Sequence, residues 1–190
     1  MSKRVVLALT VLAVGAVAGV AYATDGGRYN ADLQPVGSNP PAHGTASLFV
    51  AGRQLTVDIH ASGLAPNLPH AMHIHGVLGD PNVCPPPGAD TDNDGLISLQ
   101  EGAPFYGPID VSFTTTGDTS PASGLVLERF PVADSNGNLD YHRTFTIPKD
   151  VAKDLSQLHV VVHGADLNQN TVYDNLFEAT LPVACGTIGR

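Results

Sequence analysis

The chain of 190 residues is short of positive charge, of long apolar segments and of cysteine. Nine Lys and Arg face 18 Asp and Glu, a net charge of -9. A surface of that sign disfavours nucleic acid and anionic lipid and attracts cations, which argues against a DNA-binding or membrane-coating role. The longest apolar run, Val5 to Val20, is short for a membrane span, and no lipid-accepting cysteine lies beside it. Helical periodicity is nearly absent, with only Lys149 to Leu155 showing it. No Ser-His-Asp arrangement and no phosphate-binding glycine loop has the spacing or context to suggest those chemistries.

What is present begins with an export signal. Lys3 and Arg4 precede the apolar run, and Ala21-Tyr22-Ala23 is a small-x-small cleavage site, so residues 1–23 are expected to be a secretory signal peptide. The mature protein would be secreted or periplasmic, with no stable membrane insertion. Loss of Lys3 and Arg4 takes its formal charge from -9 to -11. Both cysteines, Cys84 and Cys185, lie in the mature part, and an even number in an exported chain makes one disulfide the default. Closing a loop of about 100 residues is worth roughly 4.7 kcal/mol in the chain-entropy model.

Residues 24–43 are polar and rich in Gly, Asn and Pro, and are expected to be an extended lead-in. One domain is expected over 44–190, of a length that supports a substantial core. Its strand candidates are 44–50, 53–60, 70–77, 109–116, 124–130, 139–147, 157–163 and 175–183, several with period-2 alternation. Glycine- and asparagine-rich turns separate them. The fold class is therefore all-β, an eight-stranded antiparallel barrel or sandwich. A long loop, 78–108, interrupts it. Pro85-Pro86-Pro87 cannot form the middle of a helix or a central strand, and a loop of such length is usually functional or stapled.

Two histidine clusters stand out, His70-Ala-Met-His73-Ile-His75 and His159-Val-Val-Val-His163. In a strand, residues two apart share a face at about 6.8 Å, so His73 and His75 can turn onto one metal. His163, at the end of a Val-rich strand, is the best third ligand. The alternative is a pair of packed or solvated strand histidines. Within the long loop, Asp90, Asp92 and Asp94 occupy positions 1, 3 and 5 of a twelve-position calcium loop, with Gly95 at the turn. Leu96 offers its carbonyl at position 7, Ser98 stands at 9 and Glu101 supplies the bidentate carboxylate at 12. With polyproline before it and Gly102-Ala103-Pro104 after it, a full helix–loop–helix pair is not expected, and the calcium would be structural.

Taken in order, His70-x-x-His73-x-His75, Gly79-Asp80, Cys84, Val160-Val161-Val162-His163 and Ala184-Cys185-Gly186-Thr187-Ile188-Gly189 resemble the copper-zinc superoxide dismutase family over most of 44–189. The resemblance implies an eight-stranded Greek-key barrel and copper on His73, His75 and His163. It also implies a structural hydrogen-bonding role for His70 and a Cys84–Cys185 disulfide. It departs from that family in three respects. Gly102-Ala103-Pro104-Phe105-Tyr106-Gly107 lacks the bridging histidine, no histidine occurs between His75 and His142, and Pro182 stands where the anion-guiding arginine is expected. Zinc is therefore not expected, and turnover of superoxide would be weak, with Arg129 and Arg143 as the remaining sources of positive charge. Gly63-Leu64 followed by His70 to Gly76 also resembles the CHRD domain, an extracellular β module without an assigned reaction, so a non-catalytic interaction module is the alternative. His142 is the most plausible spare fourth ligand, while His43 and His60 are expected at the surface. No protein partner is named by these features.

Overall fold

The computed structural model describes residues 26–80 and 82–190, and the expected signal peptide lies outside them. Eight strands form one antiparallel sheet: β1 (Gly27–Pro35), β2 (His43–Ala51), β3 (Gln54–Ser62), β4 (Met72–His75), β5 (Ile109–Ser112), β6 (Leu139–Thr146), β7 (His159–His163) and β8 (Pro182–Thr187). Their order is β5-β4-β7-β8-β1-β2-β3-β6, consistent with a Greek-key barrel or sandwich. The sheet curls so that its two edges approach. Tyr141 and Arg143 of β6 reach the segment after β5: Tyr141 Oη donates to Thr114 O at 3.1 Å, and Arg143 donates to Thr114 O at 2.6 Å and to Gly117 O at 2.7 Å. Side chains thus close the seam where no backbone ladder does.

The inner face is apolar by alternation. Leu55, Val57 and Ile59 of β3 point inward while Gln54, Thr56, Asp58 and His60 line an outward polar ladder, and Met72, Ile74, Val160 and Val162 join the same core. Each such side chain contributes roughly 1.5–3 kcal/mol by burial. A second, smaller core lies on the outside of the sheet. There Val36, Ala89, Ile97, Tyr106, Val161 and Cys185 pack together beneath the long loop.

Four expectations need correction. The segment read as a lead-in contains β1, which sits between β2 and β8. Its signal was Tyr29, Ala31 and Leu33 alternating with Asn30, Asp32 and Gln34, masked by the small Ala31 and the polar surroundings. The candidate strand 124–130 is instead irregular, with 3-10 turns at Pro121–Ser123 and Leu127–Arg129, and 175–183 divides into a helix and β8. Lys149 to Leu155 is not the only helical stretch: helices α1 (Leu99–Tyr106), α2 (Lys149–Asp154) and α3 (Leu176–Thr180) are present. Formation of α1 despite Pro104 follows from a capping box, in which Ser98 and Glu101 satisfy each other's backbone N–H.

Asn39, buried just after β1, docks the acidic loop to the sheet. Its Oδ1 accepts from Ile97 N at 2.7 Å, and its Nδ2 donates to Ile97 O at 2.9 Å and Pro182 O at 2.6 Å. One side chain therefore acts as a strand for Ile97. Asn39→Ala should lower the unfolding free energy by about 3 kcal/mol, because buried backbone groups lose their partners. Denaturant titration reads this directly, and a loss below about 1 kcal/mol would show that the loop does not depend on Asn39.

Candidate metal centre

His73 and His75 project from the outer face of β4 because Met72 and Ile74 occupy the inner one, and β7 repeats the device with Val160 and Val162 turned inward. Antiparallel pairing sets His73 opposite Val161 and His75 opposite His159. His163, next along, bonds through its backbone N–H to Ala71 O at 2.8 Å. The three imidazoles thereby meet on the outside of the sheet. His73 Nδ1 and His75 Nε2 lie 3.4 Å apart, as do His75 Nε2 and His163 Nε2. One ligand atom from each ring lies within 4.8 Å of the others.

The other nitrogen of each ring faces a backbone carbonyl. His73 Nε2 meets Gly124 O at 3.1 Å, His75 Nδ1 meets Gly107 O at 2.9 Å and His163 Nδ1 meets Thr180 O at 2.8 Å. A carbonyl only accepts, so each outer nitrogen carries the N–H and each neutral ring turns a bare lone pair toward the other two. All three carbonyls stand where a short helix ends, at the C-cap of α1, at the C-cap of the 3-10 turn Pro121–Ser123 and at the last residue of α3. Helix ends leave carbonyls without intrahelical partners, and here imidazoles take them. Gly107 has a positive φ of 81°, and a Cβ there would lie 2.7 Å from the Gly76 carbonyl carbon, so this close approach requires glycine.

Three converging lone pairs repel unless an electrophile lies between them. A proton is a poor occupant. Burial, and then the neighbouring rings, push His75 down to about 3. Burial lowers His163 to about 4, and it holds His73 well below the ordinary imidazole value. A metal cation fits the donor set better, since neutral imidazole nitrogen suits Cu, Zn, Fe and Ni.

The cluster is buried, each histidine being only 2% exposed. Tyr106 of α1 packs edge-on to His75 at 4.7 Å and Phe130 edge-on to His73 at 5.4 Å. Tyr106 comes from the segment where the bridging histidine was expected. A cavity of about 110 Å3 reaches the rings between Leu99, Ile109, Leu125, Ala179 and Thr180. Among the described residues no charged side chain lines it. Arg143 is spent on the seam, and Arg129 donates to Ser123 Oγ at 3.0 Å, so neither expected source of positive charge serves the cavity.

His70 is buried outside the cluster, its Nδ1 3.0 Å from His163 O and its Nε2 3.0 Å from Ala65 O. His142 is not a fourth ligand. It lies on the exposed face of β6 and pairs across strands with Asp58, as His60 does with Asp140. Cys84 and Cys185 are disulfide-bonded, with Cα atoms 5.7 Å apart.

Asp90, Asp92 and Asp94 bring one carboxylate oxygen each within 4.8 Å of the others. Their second contacts shape the loop: Asp90 Oδ2 accepts from Gly95 N at 3.1 Å, and Asp94 Oδ1 accepts from Leu96 N at 2.8 Å. Asp90 Oδ1 is shielded from solvent with no partner among the described residues, which suits a cation. Glu101 stands apart from the three. Its oxygens accept from Thr91 N, Thr91 Oγ1 and Asp92 N on one side and from Ser98 N and Ser98 Oγ on the other. These bonds, those from the Ser98 and Thr91 backbones first, hold its carboxyl at about 2. For Glu101 to ligate a cation, some of them must be exchanged.

Sequence reasoning missed the residues that orient the rings. Gly107, Gly124 and Thr180 act through backbone carbonyls, which no side-chain motif announces. Nor was the support of α3 noticed. Its N-cap is Asn175, and Glu178 accepts from Leu167 N and Asp174 N, while Asp166 accepts from Thr171 N in the manner of Asp90 and Gly95. A repeated Asp-x-Asn-x-Asn spacing from Asp166 was the available signal.

No family model matches the chain. No curated protein matches it either. The fold itself is an eight-stranded curled sheet compatible with a superoxide-dismutase-like architecture. Among the described residues no helix is long and apolar enough to cross a membrane.

Tyr106 Oη is buried with no hydrogen-bond partner among the described residues. Tyr106→Phe should therefore leave stability unchanged or raise it by up to about 1 kcal/mol, since the ring is kept and an unsatisfied hydroxyl is removed. Thermal unfolding checks this; a loss above about 1 kcal/mol would reveal a partner for the hydroxyl.

Proposed function

We propose that this is an exported copper-binding protein with a superoxide-dismutase-like β domain, in which His73, His75 and His163 hold one copper ion. The convergence of three bare imidazole nitrogens on one buried point carries the proposal. Copper is favoured over zinc by the resemblance of the histidine spacing to a copper site and by the order of divalent affinities, in which copper(II) binds imidazole more tightly than zinc. Among the described residues no fourth histidine, thiolate or carboxylate lines the cavity to close a structural zinc shell. The loop from Asp90 to Glu101 would hold structural calcium, with the Leu96 carbonyl and Ser98 completing the shell. His70 would then fix the strand end that carries His163. Residues 1–23 would be the cleaved export signal, and residues 24–190 one secreted or periplasmic domain.

Bound copper would supply one-electron chemistry. The protein's own contribution is to orient three rings, shut out bulk water and leave one approach through the cavity. Superoxide is a possible substrate in this scheme, but dismutation would be weak, because the approach carries no cation and the surface is acidic. The same uncharged approach favours a second reading, a non-catalytic extracellular module of the CHRD kind that holds metal for structure or interaction.

Metal analysis of the mature protein loaded separately with copper and zinc, with superoxide decay measured alongside, tests this. One equivalent of tight copper is expected, with at least about a tenfold loss of affinity in both H73A and H163A, since each removes one of three ligands. Activity lost in both variants would support a copper-only enzyme, and copper without turnover would support the module. Absence of tight copper, or unchanged affinity in the variants, would reject the three-histidine site. Calorimetry on metal-stripped protein should show calcium binding that weakens in D90N and E101A.

A further inference from the structure

We infer that the cavity over His73, His75 and His163 admits small uncharged molecules and rejects hydrated anions. The inference deepens the copper reading by naming the class of ligand that reaches the site, and one arm of its test does not depend on copper.

Two features of the cavity carry it. Its walls between the rings and solvent are Ala71, Leu99, Ile109, Leu125 and Ala179, with Thr180 as the one hydroxyl. That hydroxyl is already committed, Thr180 Oγ1 donating to Leu176 O at 2.7 Å. The histidines offer no donor inward either, because all three N–H groups point away to Gly107, Gly124 and Thr180 carbonyls. An anion entering the cavity would shed its hydration shell and meet no N–H or O–H in exchange, so only the charge of a bound ion would attract it. A neutral molecule of two or three heavy atoms loses little hydration and gains dispersion contacts with the aliphatic walls. The volume of about 110 Å3 suits that size. Aliphatic cavities of similar size take up xenon.

Leu125 controls the approach. It lines the cavity yet is 54% exposed, so its side chain forms the outer lip and tolerates replacement by a long polar one. Leu125→Arg would place a guanidinium, with its five donors, at the entrance of a passage that otherwise has none.

Two measurements decide the matter. In the first, xenon pressure is applied to the metal-free protein while methyl NMR signals of Leu99, Ile109 and Leu125 are followed. Saturable shifts at these methyls are expected, and their absence would overturn the inference whether or not copper binds. In the second, azide is titrated into the copper(II)-loaded protein and its L125R variant, read by the azide-to-copper absorption band. Azide should bind the parent at least about tenfold more weakly than the variant, the usual scale for a hydrogen bond to a charged group. Equal affinity in the two proteins would overturn the inference. Failure of the parent to retain copper would reject the copper reading instead, and the xenon result would still decide what the cavity admits.

Discussion

The centre of this molecule depends on three hydrogen bonds from imidazole N–H groups to carbonyls at helix ends. Each bond fixes a ring's tautomer and its rotation at once. Because the acceptors are Gly107, Gly124 and Thr180, on three different segments, the inner nitrogens of His73, His75 and His163 converge although their strands would space them further apart. Such outer partners also raise the basicity of the nitrogen left free for a metal. Displacing any one helix end would release a ring and dissolve the cluster.

Much of the remaining architecture can be understood as holding those helix ends in place. On one side the Cys84–Cys185 bond, the docking of Ile97 on Asn39 and the Ser98–Glu101 capping box fix α1, whose Leu99 and Tyr106 wall the centre and whose C-cap supports His75. On the other, Asn175 and Glu178 fix α3, whose last carbonyl supports His163. The acidic loop and the histidine centre are thus joined through one eight-residue helix. Burial of the centre follows as well, since α1 and its loop lie across an outer sheet face that would otherwise be wet.

The fold class was legible because period-2 alternation and turn residues are local signals, and they were strong in β2, β3 and β6. The His73–His75–His163 convergence was legible for the same reason, as strand alternation dictates that residues two apart share a face. β1 escaped notice because Ala31 and three polar residues diluted its alternation, yet pairing on both sides stabilises it regardless of composition. The 124–130 segment misled in the opposite sense: Leu125, Val126 and Phe130 suggested a strand, but only Phe130 of these is fully buried. Burial of the histidine centre was not legible, because it depends on where a 31-residue loop folds back, a long-range event set by Asn39 and the disulfide. Backbone acceptors leave no side-chain trace at all.

Imidazole tautomers in the metal-free protein report most directly on this account. Long-range proton–nitrogen NMR at neutral pH distinguishes the protonated from the bare nitrogen in each ring. The account predicts a proton on Nε2 of His73 and on Nδ1 of both His75 and His163, each protected from exchange by its carbonyl. Averaged tautomers, or a proton on any of the three inner nitrogens, would contradict it.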